Sequence, residues 1–265
     1  MDFKILCSDL DGTLLTTKSD VSELTIAQIA RIKNKMRIIL VSARMPKAMR
    51  HLQDDLAIAY EPIICYNGAY VLDGIAEIAS VEIRTQDLQD VYELANPLGI
   101  LIGLYHKNEW YVSKDSERVQ KEILYTKCKP VFRDTTATLA DWKNRKIGAH
   151  KIMLMGTKDS SDAIFPKLQK ALGTTLNLYR SNNTLIEIAP KSVSKLSAIQ
   201  LLLKNNLTLK DVVAFGDNYN DIEMIRVAGC GVAVGNARQE LKAIADHITL
   251  KNTEDGVARY IAQHL

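Results

Sequence analysis

Five short apolar runs constrain this chain more than any other feature: Ile5-Leu6-Cys7-Ser8, Arg37 to Val41, Pro62 to Tyr66, Val212 to Phe215 and Gly231 to Val234. They are nearly continuous rather than alternating, so each reads as a strand buried on both faces. Helical spacing lies between them. Ile29, Ile32 and Met36 recur at three and four residues, as do Leu196, Ile199 and Leu203. A further helix is expected from about Asn220, with Gly229 as its C-cap, and a terminal one over Glu254 to Leu265. Strands alternating with helices imply a mostly parallel sheet with helices on both faces.

The middle of the chain follows a different rule. Ile100 to Tyr105 and Trp110 to Val112 flank His106-Lys107-Asn108-Glu109, and Leu176 to Arg180 and Leu185 to Ile188 flank Ser181-Asn182-Asn183. Both read as hairpins, with helix-like stretches around Val91, Val119 and Leu168. The expectation is an α+β unit at residues 83–189, inserted into an α/β core made of residues 1–82 and 190–265. A length of 265 residues accommodates two such units.

Net charge excludes some partners. With 34 basic and 31 acidic residues and no dense Lys/Arg block, nothing argues for nucleic acid. No apolar run is long enough to span a membrane, and Met-Asp-Phe-Lys leads straight into a strand rather than a signal-peptide core. Cys7, Cys65, Cys128 and Cys230 form no C-x-x-C pair and read as buried free thiols of a reducing compartment. A cytoplasmic protein follows by elimination. Oligomeric state is not legible.

Chemistry concentrates where strands end, which is where open α/β sheets bind ligands. Asp9-Leu10-Asp11-Gly12-Thr13 follows the first run. Two carboxylates there can converge on a cation such as Mg²⁺, an Asp carboxylate can attack phosphorus, and Gly12 permits a sharp turn. Gly216-Asp217-Asn218-Tyr219-Asn220-Asp221 places acids and amides at a second strand end. Alone it also reads as an Asx-type helix cap. Ser42 ends another strand and can hydrogen-bond a phosphate oxygen, though serine there is commonly an ordinary N-cap. Lys195 opens a helix, where the dipole disfavours a cation, and alone reads as a solvated surface lysine.

In this order and these settings the four motifs resemble the haloacid dehalogenase (HAD) superfamily, and within it the Cof-type (subclass IIB) phosphatases. The resemblance covers the whole chain, including the ending Glu254-Asp255-Gly256-Val257-Ala258. It implies a HAD-type Rossmann-like parallel-sheet core with an inserted α+β, C2-type cap that sets substrate choice. It implies Asp9 as nucleophile and Mg²⁺ ligand, Asp11 as general acid/base whose backbone carbonyl also binds Mg²⁺, and Asp217 as the third protein ligand. Ser42, with the backbone at Leu10 and Ala43, would hold the phosphoryl group, as would Asn220. Lys195 would neutralise phosphate and orient Asp9, with Asp221 and Arg44 in support. Ala43 and Ser192 stand where the family often has glycine, and Asn218 replaces a small residue; none of these removes a required group.

The implied activity is Mg²⁺-dependent hydrolysis of small phosphorylated metabolites, sugar phosphates or phosphorylated cofactors, through an aspartyl-phosphate. A sugar phosphomutase on the same fold and a non-catalytic phosphate-sensing protein are the alternatives. His51, His106, His150, His247 and His264 are scattered and read as surface or packing residues. Trp110 and Trp142 read as packing, with His106 and Trp110 weaker candidates for substrate contacts in the cap.

Overall fold

The structure is a computed structural model describing residues 3–17 and 19–265. Its chain divides into two compact units, one of residues 1–79 with 194–265 and the other of 80–193. From the N-terminus the elements are β1 (Ile5–Asp9), α1 (Glu23–Ile32), β2 (Arg37–Val41), α2 (Lys47–Asp55), β3 (Ile63–Cys65), β4 (Tyr70–Asp73) and β5 (Ala76–Ser80). The middle contributes α3 (Thr85–Ala95), β6 (Leu101–His106), β7 (Glu109–Val112), α4 (Glu117–Thr126), β8 (Val131–Phe132), α5 (Thr135–Arg145), β9 (Lys151–Met155), α6 (Lys158–Leu172), β10 (Leu176–Asn182) and β11 (Leu185–Pro190). The chain closes with α7 (Lys195–Leu202), β12 (Val212–Gly216), α8 (Ile222–Val227), β13 (Cys230–Ala233), α9 (Gln239–Lys242), β14 (His247–Ile248) and α10 (Gly256–His264).

The first unit holds an eight-stranded sheet in the order β14-β13-β12-β1-β2-β3-β4-β5. From β14 to β3 the pairing is parallel, and β4 runs antiparallel to β3. Every residue of β1, β12 and β13 is buried, which is why these runs lack alternation. The order changes direction around β1. Its neighbours are β2, next in the chain, and β12, which arrives more than 200 residues later. Such a switch point puts loops from distant parts of the sequence side by side at the carboxyl edge.

The second unit is a six-stranded sheet in the order β10-β11-β9-β6-β7-β8, antiparallel except for the short parallel pair β7–β8. Leu88 and Val91 of α3, Trp142 of α5, and Ile164 and Leu168 of α6 form its core with Ile102, Leu104, Ile152, Leu154, Ile186 and Ile188 of the strands. Both expected hairpins are present. Strand β9, helix α5 and the β4–β5 hairpin went unread in the sequence. Helix α5 opens with three threonines in its first four residues, and threonine is a poor helix former. It is secured instead by Asp134 capping the amides of Thr136 and Ala137, and by the fully buried Trp142.

Two local expectations are corrected. Helix α1 stops at Ile32, so Met36 belongs to the following turn, although it is buried. Gly229 is not a left-handed C-cap. Ala228, extended at φ −60°, ψ 154°, already breaks α8. Gly229 is required by contact: its N–H donates to the Leu209 carbonyl at 2.7 Å, and a Cβ there would lie 2.0 Å from the Lys210 carbonyl oxygen.

Candidate active site

Parallel register builds the site. Ser8 pairs with Phe215, so Asp9 at the end of β1 and Asp217 just after β12 emerge as neighbours. On the other side Asp9 pairs with Val41, which places Ser42 one residue beyond. After Asp9 the chain enters a tight turn in which Gly12 takes φ +88°, and a Cβ there would lie 2.6 Å from Asp217 Oδ2.

Lys195 fills the centre. It is the first residue of α7 and its side chain has no solvent exposure. Its Nζ lies 2.6 Å from Asp9 Oδ1 and 2.6 Å from Asp221 Oδ1. Burial alone would lower the ammonium pKa, but the charges of Asp221 and Asp9 overturn this and raise it. These two carboxylates also explain why a lysine tolerates the positive end of a helix dipole. The surface reading of Lys195 is thereby excluded.

Burial raises Asp9 well above the usual carboxylate range against the opposing charge of Lys195, and the charges of Asp221 and Asp217 push it further up. Asp217 is raised to about 6, chiefly by burial and then by the charge of Asp221. Asp221 is fully committed: Lys195 takes Oδ1, and Oδ2 accepts the backbone N–H groups of Asp217 and Asn218 at 2.9 and 3.0 Å. It is a scaffold for the loop.

Carboxylate oxygens of Asp9, Asp217 and Asp221 lie within 4.8 Å of one another. Asp9 Oδ2 is buried and accepts no hydrogen bond, and Asp217 Oδ1 takes only a long 3.3 Å bond from Thr13. A buried carboxylate oxygen without a donor is costly unless a cation meets it. The all-oxygen donor set suits a hard divalent ion, so the residues present fit one.

Asp11 and Arg44 form a second pair. Arg44 Nε and Nη2 grip Asp11 Oδ2 and Oδ1 at 2.8 and 2.7 Å, with Arg44 buried and Asp11 exposed to solvent. Ser42 is buried. Its Oγ accepts the Arg44 backbone N–H at 3.2 Å, so its own hydroxyl proton is available to donate. Asn220 Nδ2 donates to Asn67 Oδ1 at 3.0 Å. In the sequence, Asn67-Gly68, directly after the run Pro62 to Tyr66, is a turn signal and nothing more. The signal it carried was the Asn-Gly pair directly after a strand, since asparagine tolerates the left-handed conformation it adopts here, φ +55°.

In the second unit the histidines are not all scattered. Ring atoms of His106 and His150 gather with Glu82 within 4.8 Å, and both rings are buried. Their nitrogens hold loops together. His150 meets Ser80 Oγ at 2.9 Å through Nε2, and its Nδ1 accepts the Lys107 N–H at 3.2 Å. His106 Nδ1 donates to the Gly148 carbonyl at 2.9 Å. A neutral His150 could bind a metal only by giving up the Lys107 bond or its own Nε2 proton, so the cluster is a structural knot. Trp110 and Trp142 are buried, the first stacked on Tyr105 with centroids 5.4 Å apart, so neither they nor His106 offer an exposed contact surface.

The fold is thus a parallel α/β core with a lysine-bridged carboxylate cluster at the carboxyl edge of its strands. The chain belongs to the haloacid dehalogenase-like hydrolases, whose family model matches residues 6–261. Within them it is a Cof-type phosphatase, a phosphoric monoester hydrolase. It is 30% identical to the pyridoxal phosphate phosphatase of Escherichia coli over the full length of both chains. It is 26% identical to a 5-amino-6-(5-phospho-D-ribitylamino)uracil phosphatase of Bacillus subtilis, covering 98% of this chain and 95% of that one. Its fold is similar to the crystal structure of a haloacid dehalogenase-like hydrolase from Bacteroides thetaiotaomicron, with a TM-score of 0.90, 29% identity, and coverage of 99% and 100%.

Proposed function

We propose that this protein is a Mg²⁺-dependent phosphatase of small phosphorylated metabolites that works through an aspartyl-phosphate. The observation that carries the reading is Asp9: buried, held through Oδ1 by Lys195, with Oδ2 bare beside Asp217. That is a fixed, oriented nucleophile with one oxygen presented. Asp9, Asp217 and the Asp11 carbonyl would hold Mg²⁺, whose charge offsets the repulsion between a carboxylate and a phosphate dianion.

The chain's own groups account for the remaining steps. An Asp9 oxygen forms a bond to phosphorus as the bond to the leaving oxygen breaks. Ser42, the Leu10 and Ala43 backbone and Asn220 hold the phosphoryl oxygens, and the buried Lys195 supplies fixed positive charge. Asp11 gives a proton to the leaving alkoxide, then takes one from the water that cleaves the aspartyl-phosphate. To do so it must release at least one oxygen from Arg44, which otherwise parks it.

The Ser80–Val193 unit is assigned the choice of leaving group. Sugar phosphates and phosphorylated cofactors are the expected substrates, the second class supported by the relative that acts on pyridoxal phosphate. Four buried free thiols support a cytoplasmic setting, and the near balance of charge supports a small-molecule rather than nucleic-acid partner.

The test is hydrolysis of p-nitrophenyl phosphate by purified protein. We expect activity with Mg²⁺, loss of it in excess chelator, and at least a roughly thousandfold loss in Asp9→Asn with the fold retained. Undiminished turnover in Asp9→Asn would remove the mechanism. A library of phosphorylated metabolites then ranks substrates.

A further inference from the structure

The turn after β3 is bonded to both phosphate-binding loops of the proposed site. Tyr66 and Asn67 occupy consecutive left-handed positions, φ +53° and +55°. Two such residues in a row are costly for side chains other than glycine and are kept only where surrounding bonds enforce them. Here the bonds are specific. The Asn67 N–H donates to the Ser42 carbonyl at 2.9 Å, and the Tyr66 N–H donates to the Arg44 carbonyl at 3.2 Å. The Asn67 side chain turns the other way and accepts Asn220 Nδ2 at 3.0 Å. A single residue therefore ties the Ser42 loop, through its backbone, to the Asn220 loop, through its side chain. These loops come from segments 178 residues apart.

We propose that Asn67 is a positioning residue for phosphoryl transfer, acting through Asn220. An asparagine amide has two N–H groups and one oxygen, and it can rotate unless something holds it. By accepting one N–H, Asn67 Oδ1 fixes the plane and sense of the Asn220 amide and directs its second N–H away from Asn67. A donor held before the substrate arrives loses less freedom on binding phosphate. Only a side-chain acceptor at this position does this, and of the short acceptors asparagine is neutral, so it adds no charge to repel a phosphate dianion. This assignment rests on the reading of Asn220 as a phosphate contact.

The experiment is a double-mutant cycle with p-nitrophenyl phosphate turnover and inhibition by inorganic phosphate as readouts. Asn67→Gly keeps the left-handed backbone and removes the acceptor, so its melting temperature should stay close to that of the unaltered protein. We expect kcat/KM to fall about tenfold and inhibition by inorganic phosphate to weaken in step. We also expect the loss to vanish when the change is made in an Asn220→Ala background, because Asn67 then has nothing to orient. Additive losses, or unchanged phosphate inhibition in Asn67→Gly, would overturn the proposal. If Asn67→Gly does not fold, the same cycle runs with Asn67→Ser, whose shorter side chain bonds its own backbone and does not reach Asn220. Failure of the underlying reading is separately visible: Asn220→Ala alone would then leave both readouts unmoved.

Discussion

At the scale of single residues, charge placement decides the behaviour of the site. Three carboxylates and one ammonium share a buried volume, leaving a net negative cluster that a dication would complete. The pH dependence follows. Asp217 in the folded chain keeps its proton up to about pH 6, whereas an unfolded aspartate gives it up near pH 4. The folded state binds more protons across that window, so stability of the metal-stripped protein falls as pH rises through it. A cation competes with the same proton, so its binding strengthens over the same range. We expect added MgCl₂ to raise the melting temperature more at about pH 7.5 than at about pH 5, with Asp217→Asn reducing the difference. Equal shifts at both values in the unaltered protein would show that these carboxylates do not hold the ion.

At the scale of elements, the connecting loops are held by close packing as much as by hydrogen bonds. Gly229 is one such case. The stretch from α8 to β13 passes so near Lys210 that a single methyl group overlaps a carbonyl oxygen, and no flexible side chain is there to yield. Gly229→Ala should destabilise the protein by about 2 kcal/mol or more in urea unfolding, with reduced yield of folded protein. A change of a few tenths would mean that the backbone shifts freely. Helix content was legible where apolar spacing was clear, as in α7 and α10. It was not legible in α5, whose stability comes from a cap and a buried tryptophan rather than from propensity. Gly229 was read as a C-cap for a related reason, since a glycine after a helix signals either a left-handed turn or a close contact, and only coordinates separate the two.

At the scale of the whole molecule, the two units have separate cores. The unit of residues 80–193 is continuous in sequence and closes its own sheet and helices around Trp142 and the strand residues facing it. Expressed alone, it should fold and unfold cooperatively in urea, with an m-value of roughly 1–3 kcal/mol/M. A non-cooperative transition with exposed apolar surface would show that it depends on the rest of the chain. By itself the sequence determined the classes of element and the insertion of one unit within another, and singled out the strand-end acids Asp9, Asp11 and Asp217 as candidates, because periodicity and strand-end acids are local signals; Ser42 and Lys195 became candidates only through the family resemblance. Tertiary structure alone decided that Lys195 is buried between Asp9 and Asp221, that Arg44 holds Asp11, and that Asn67 meets Asn220. Those pairings join residues between 26 and 186 positions apart, and nothing in a linear chain records which distant groups parallel strand register will set side by side.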